Sequence, residues 1–136
     1  DPCTLHLKNI LSGKLPEYCN RRHVLNKLGT ARGVLRGGNM AVFHGLRGTP
    51  YDIPAEGTIL FIEDISERPH AIERMMYNLK LGGVLYAALA DLLQEYDYPV
   101  CFNFPVGHVT NNLPLINGAE VEFTVGKKSV ELKFIC

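Results

Sequence analysis

Apolar and polar positions change rhythm several times along the chain. Ile72, Met75, Met76 and Leu79 recur at i, i+3, i+4 and i+7, with Glu73, Arg74, Asn78 and Lys80 off that face. This spacing predicts an amphipathic helix after Ser66-Glu67-Arg68-Pro69, ended by Gly82-Gly83. Alternation of period two predicts two short strands with one wet face, Glu120 to Val125 and Ser129 to Ile135, joined as a hairpin at Gly126-Lys127-Lys128. The unbroken apolar run from Thr58 to Ile62, set between Gly57 and the acidic pair Glu63-Asp64, predicts a strand buried on both faces.

Weaker patterns fill the remainder. Asp1 as N-cap, Pro2 in the first turn, apolar Cys3, Leu7, Ile10 and Leu11, and Gly13 as a stop predict a short opening helix at the edge of the domain. The stretch Leu28 to Gly38 has too many glycines for a helix and reads as a strand that Gly37-Gly38 ends in a tight turn. Asn39 can cap a helix running through Gly45, closed by Gly48-Thr49-Pro50. A helical pattern from Ala87 to Glu95 leads through Asp97-Tyr98-Pro99 into an apolar strand, Val100 to Phe104, which runs into Pro105-Val106-Gly107-His108. The predicted architecture is one α+β domain over residues 1–136, a mixed sheet with a few helices in a swivelling β/β/α arrangement rather than a doubly wound one.

Composition narrows the partners. Lys plus Arg and Asp plus Glu both number 14, so the net charge is zero and no electrostatic footprint for nucleic acid or an acidic membrane surface exists. No stretch approaches the roughly 20 apolar residues of a membrane span. The opening residues lack the n- and h-regions of a signal peptide, although a chain starting in mid-pattern leaves a targeting signal elsewhere open. The four cysteines, Cys3, Cys19, Cys101 and Cys136, are far apart, form no zinc-site spacing, and are expected to be reduced and mostly buried. No cofactor or metal is expected.

Two strand ends carry chemistry. Glu63 follows a buried strand, where a carboxylate needs a donor such as an imidazole N–H; a solvated strand end or a helix-capping pair with Asp64 is the alternative. His108 lies in Pro-Val-Gly-His-Val-Thr-Asn-Asn, where glycine allows a sharp turn that can hold an imidazole at the mouth of a site, either as a general base or as a satisfied loop histidine. His6, His23, His44 and His70 have no partner visible in the sequence and read as structural or exposed. Of the serines Ser12, Ser66 and Ser129, none lies in a nucleophile elbow. Ser66, close to Glu63, fits turn or capping chemistry. Gly37-Gly38-Asn39 lacks the remainder of any phosphate-binding motif.

Three segments in order, Gly33-Val34-Leu35-Arg36-Gly37-Gly38-Asn39, then Gly48-Thr49-Pro50-Tyr51 leading to Ile59-Leu60-Phe61-Ile62-Glu63-Asp64, then Phe104-Pro105-Val106-Gly107-His108, resemble the C-terminal domain of LD-carboxypeptidases. Ile72-Glu73-Arg74-Met75, Asn112-Leu113-Pro114-Leu115 and Gly118-Ala119 extend the resemblance over most of the chain from about Leu25 onward. One departure is that family members continue from the Gly-Val-Leu motif into another strand and a long loop, whereas here Leu85 passes straight to Tyr86.

The resemblance implies a serine-type carboxypeptidase in which Glu63 and His108 complete a Ser-Glu-His triad. The nucleophilic serine would come from an N-terminal domain, with none in this chain. It further implies a murein tetrapeptide substrate that loses its terminal D-alanine during cytoplasmic cell-wall recycling in bacteria. The implied partners are that N-terminal domain and the murein peptide, with a homodimer left open and neither nucleic acid nor membrane involved. Two alternatives stand beside it: a peptidase of the microcin C immunity type, and a non-catalytic peptide-binding module.

Overall fold

The computed structural model describes residues 2–54, 56–81 and 97–135. In chain order the described elements are α1 (Pro2–Leu11), β1 (Glu17–Arg21), β2 (Gly29–Asn39), α2 (Met40–Leu46), β3 (Thr58–Glu63), α3 (Pro69–Leu81), β4 (Glu120–Val125) and β5 (Ser129–Phe134). The strands form a mixed five-stranded sheet in the order β1-β5-β4-β2-β3, so the α+β expectation holds and an all-parallel doubly wound sheet does not. The predicted capping by Asp1, the stop at Gly82-Gly83, the helix from Ala87 to Glu95 and the Leu85–Tyr86 departure lie outside the described residues.

Strand β2 organises the sheet. Its first half pairs antiparallel with β4, from Gly29 opposite Val125 to Val34 opposite Glu120. Its second half pairs parallel with β3, from Val34 opposite Thr58 to Asn39 opposite Glu63. Parallel neighbours need a crossover, and α2 with the turn that follows provides it. The β2–β3 contact is close because β2 carries glycines: a Cβ on Gly37 would run into the Phe61 carbonyl, and one on Gly33 into the Gly57 carbonyl.

Each sheet face has its own core. On one, Met75, Met76 and Leu79 of α3 meet Met40 and Val100, with Leu60 and Ile62 against them. On the other, Tyr18, Leu35, Val121, Leu132 and Phe134 pack with Ile59, Phe61, Phe104 and Leu113. The hairpin alternates as predicted, with Val121, Val125, Val130, Leu132 and Phe134 buried and Glu120, Glu122, Glu131 and Lys133 exposed. Along β3 successive residues alternate between the two cores, so both faces are apolar. Each residue is only half-buried, because β3 forms the sheet edge.

Four expectations need correction. Gly37-Gly38 do not end β2 in a tight turn: both stay in the parallel ladder, opposite Phe61 and Ile62, and β2 runs on to Asn39. The strand from Val100 to Phe104 reduces to a single bridge between Val100 and Lys27. Beyond it the Phe102 N–H donates to the Asn26 side chain at 2.8 Å, Asn103 adopts φ 57°, and the flanking Pro99 and Pro105 have no N–H for a ladder. Conversely, β1 is a strand that the pattern does not announce, since Tyr18 alone among its residues is buried. Tyr18 donates its hydroxyl to the Pro114 carbonyl at 2.7 Å, and burial raises its pKa. The cysteines among the described residues are not mostly buried: Cys3 and Cys101 are half-buried, and Cys19 is exposed because it lies on the outer face of an edge strand; none of the three is in a disulfide.

Candidate functional site

The alternation of β3 continues past its last residue and sends the two carboxylates to opposite faces. Glu63, in step with Ile59 and Phe61, lies on the side covered by the segment after Phe104. Asp64, in step with Leu60 and Ile62, lies on the side of α2 and α3.

Asp64 performs capping chemistry. Its carboxylate accepts from the Ala41 N–H at 3.2 Å, from its neighbour's Ile65 N–H at 2.8 Å and from the Asn39 side-chain amide at 3.4 Å. Asn39 is the N-cap of α2, as predicted, accepting from the Val42 N–H at 3.1 Å. Two of the donors left free at the start of α2 are thereby satisfied, and the ends of β2 and β3 are tied together beside Glu63. The capping alternative raised for the acidic pair therefore describes Asp64 and not Glu63.

Glu63 instead meets a histidine. The distance from Glu63 Oε2 to His108 Nδ1 is 2.7 Å, with the Glu63 side chain 17% and the His108 side chain 57% exposed. A carboxylate on Nδ1 favours the tautomer with the proton there. The second ring nitrogen, Nε2, then keeps its lone pair and has no protein partner among the described residues.

Gly107 makes the approach possible. At φ 86° it holds a left-handed conformation, and a Cβ there would come within 2.7 Å of Glu63 Cγ and 2.8 Å of Oε2. The Gly107 N–H donates to Asn112 Oδ1 at 3.0 Å. Beside the pair opens a cavity of about 290 Å³, lined by Phe61, Ile65, Asn103, Phe104, Val106 and Val109 together with Glu63 and His108.

The structure thus brings Glu63 and His108 together and leaves the other histidines apart. His6 packs edge-on against Tyr18 at 5.3 Å between ring centroids, and His23 accepts from the Leu25 N–H. Ser12 donates to the Lys8 carbonyl and Ser129 to Glu131, while Ser66 takes φ 64° in the bend after β3. None of the three donates to His108. Among the described residues no group of three or more His, Cys, Asp or Glu side chains could hold a metal ion, and no helix is long and apolar enough to cross a membrane. Asn112 and Asn26 are site-side residues that the pattern did not single out; asparagines in loops have no periodicity to reveal them.

The pattern for the "LD-carboxypeptidase C-terminal domain" matches residues 32–90 and 83–123. Those two pieces meet where the departure at Leu85-Tyr86 falls. A Bacillus subtilis protein named "Probable murein peptide carboxypeptidase" is 30% identical over 130 residues, which cover 77% of this chain and 41% of that protein. The chain thus spans about two fifths of that relative's length. Among solved structures, the muramoyltetrapeptide carboxypeptidase of Oxalobacter formigenes has the same fold, with a TM-score of 0.80 and 24% identity over 98% of this chain and 55% of that one. A microcin C7 self-immunity protein aligns with a TM-score of 0.66 and 22% identity, covering 85% of this chain and 40% of that one.

Proposed function

The chain belongs to the LD-carboxypeptidase family through its C-terminal domain, and from that premise we propose that it supplies the glutamate and histidine of a Ser-Glu-His triad in a serine-type carboxypeptidase. The observation that carries this reading is the 2.7 Å contact between Glu63 Oε2 and His108 Nδ1, which leaves Nε2 available at an open cavity.

In this mechanism the nucleophilic serine comes from an N-terminal domain. His108 Nε2 takes the serine hydroxyl proton as the oxygen attacks the scissile carbonyl. It then returns the proton to the leaving amine, and activates the water that releases the acyl group. Glu63 holds the imidazole with its proton on Nδ1 and stabilises the imidazolium that forms. The arrangement of the serines supports a nucleophile from outside, since none of the three in the chain donates to His108.

The substrate is a murein tetrapeptide that loses its terminal D-alanine, as part of cell-wall recycling in the cytoplasm. What supports this is the naming of the Bacillus relative for murein peptides.

The test is D-alanine release from a murein tetrapeptide by the protein carrying both domains. His108→Ala is expected to lower kcat by roughly 10³-fold or more. Undiminished release by that variant would remove His108 from the mechanism. Hydrolysis of an aminoacyl-sulfamoyl nucleotide in place of the tetrapeptide would transfer the substrate assignment to the immunity type.

A further inference from the structure

His108 is carried by a surface loop with few restraints. The Leu113 N–H donates to the Pro105 carbonyl at 2.8 Å and closes the base of residues 105–113, and the Val109 N–H donates to the Gly107 carbonyl at 2.9 Å. Residues 108–112 are all exposed, so little burial holds this stretch in place. Among the described residues, one side chain bonds to the backbone of the loop: Asn112, whose Oδ1 accepts from the Gly107 N–H at 3.0 Å.

That bond falls on the residue with the greatest freedom. Gly107 has no Cβ because Glu63 occupies the space where one would stand. The same absence leaves the backbone next to His108 able to adopt many conformations. A restraint on the Gly107 N–H is what confines it.

We propose that Asn112 is the positioning residue for His108: its side-chain carbonyl holds the Gly107 peptide in the one orientation that brings His108 Nδ1 to Glu63 Oε2. This rests on the reading of Glu63 and His108 as the acid-base machinery. Asn112 does not touch the reacting atoms, so its loss lowers the fraction of molecules in which the pair is formed and leaves peptide binding alone.

In the protein carrying both domains, Asn112→Ala is expected to lower kcat about tenfold, equal to about 1.4 kcal/mol in the barrier, with KM changed by less than about twofold. Asn112→Asp keeps an acceptor for the Gly107 N–H and is expected to restore most of kcat. A second readout needs no substrate: nitrogen-15 spectra of the imidazole should show His108 protonated on Nδ1 in the wild type. Asn112→Ala should show a shift toward the Nε2-protonated tautomer. The resonance is read on a variant whose backbone amide spectrum matches the wild type, so that unfolded molecules, whose imidazoles also favour the Nε2-protonated tautomer, do not contribute.

Unchanged kcat and tautomer in Asn112→Ala, with Glu63→Gln and His108→Ala inactive, would overturn the role of Asn112 and leave the triad intact. A fall in kcat that Asn112→Asp does not restore, or a rise in KM in its place, would also overturn it. Full activity in Glu63→Gln and His108→Ala would instead remove the triad on which it rests.

Discussion

Adjacent carboxylates with opposite duties allow a double dissociation. Glu63→Gln keeps the size of the side chain and removes the charge that orients His108. The pair is half in solvent on the histidine side, so its contribution to stability is below about 1 kcal/mol. In the proposed triad its contribution to catalysis is expected to be far larger: neutralising the carboxylate of such a triad costs roughly 10⁴-fold in kcat, because the imidazole settles in the wrong tautomer. Asp64→Ala does the reverse. It removes an acceptor for the Ala41 and Ile65 N–H groups and for the Asn39 amide, a loss of about 1–2 kcal/mol by the measured range for helix caps. In the protein carrying both domains, more than twice this chain's length, that lowers the thermal midpoint by roughly 1–5 °C, while kcat below the transition stays within about tenfold of wild type. The assays are thermal unfolding by circular dichroism and D-alanine release, run on both variants of the protein with both domains. A Glu63→Gln variant that unfolds early and turns over normally, or an Asp64→Ala variant of unchanged midpoint, would refute the division of labour derived from the alternation of β3.

Two further outcomes follow from packing and burial. Gly37→Ala places a Cβ against the Phe61 carbonyl carbon at 2.7 Å and its ring at 2.6 Å; combining steric overlap with backbone strain predicts a loss of at least about 3 kcal/mol, and a urea midpoint equal to wild type would show that β2 and β3 do not approach so closely. Burial pushes the Cys101 thiol up to about 11, against a smaller lowering by the Asn26 amide, so its alkylation by iodoacetamide should lag that of exposed Cys19. Because the folded value lies above the unfolded one, the neutral thiol's contribution to stability is complete below the ordinary thiol range and is lost as pH rises through about 11. The same alkaline decline in Cys101→Ala would assign it to other groups.

What could be read from the residues follows their locality. The hairpin of β4 and β5 shows because every second side chain enters one core, and α3 shows because Met75, Met76 and Leu79 share a helical face. The capping role of Asn39 is equally local, three residues from the N–H it serves. By contrast β1 buries Tyr18 alone and has no rhythm to detect. The apolar run after Pro99 imitates a strand, although the Asn26 side chain takes the Phe102 N–H that a neighbouring strand would need. Nothing near residue 102 announces Asn26, because the two meet across 76 positions.

The sequence by itself determined the helices α2 and α3, the strand β3 that Glu63 ends and the hairpin of β4 and β5, and that a glycine precedes His108. It left open whether either residue had a partner. Only the tertiary structure decided that Glu63 and His108, 45 positions apart, stand in hydrogen-bond contact and that Asp64 turns away to cap α2. The physical reason is that side-chain direction along a strand depends on register and on which face each neighbour covers. Those are set by the order of the sheet and the return of the chain after Phe104, through contacts that no local pattern contains.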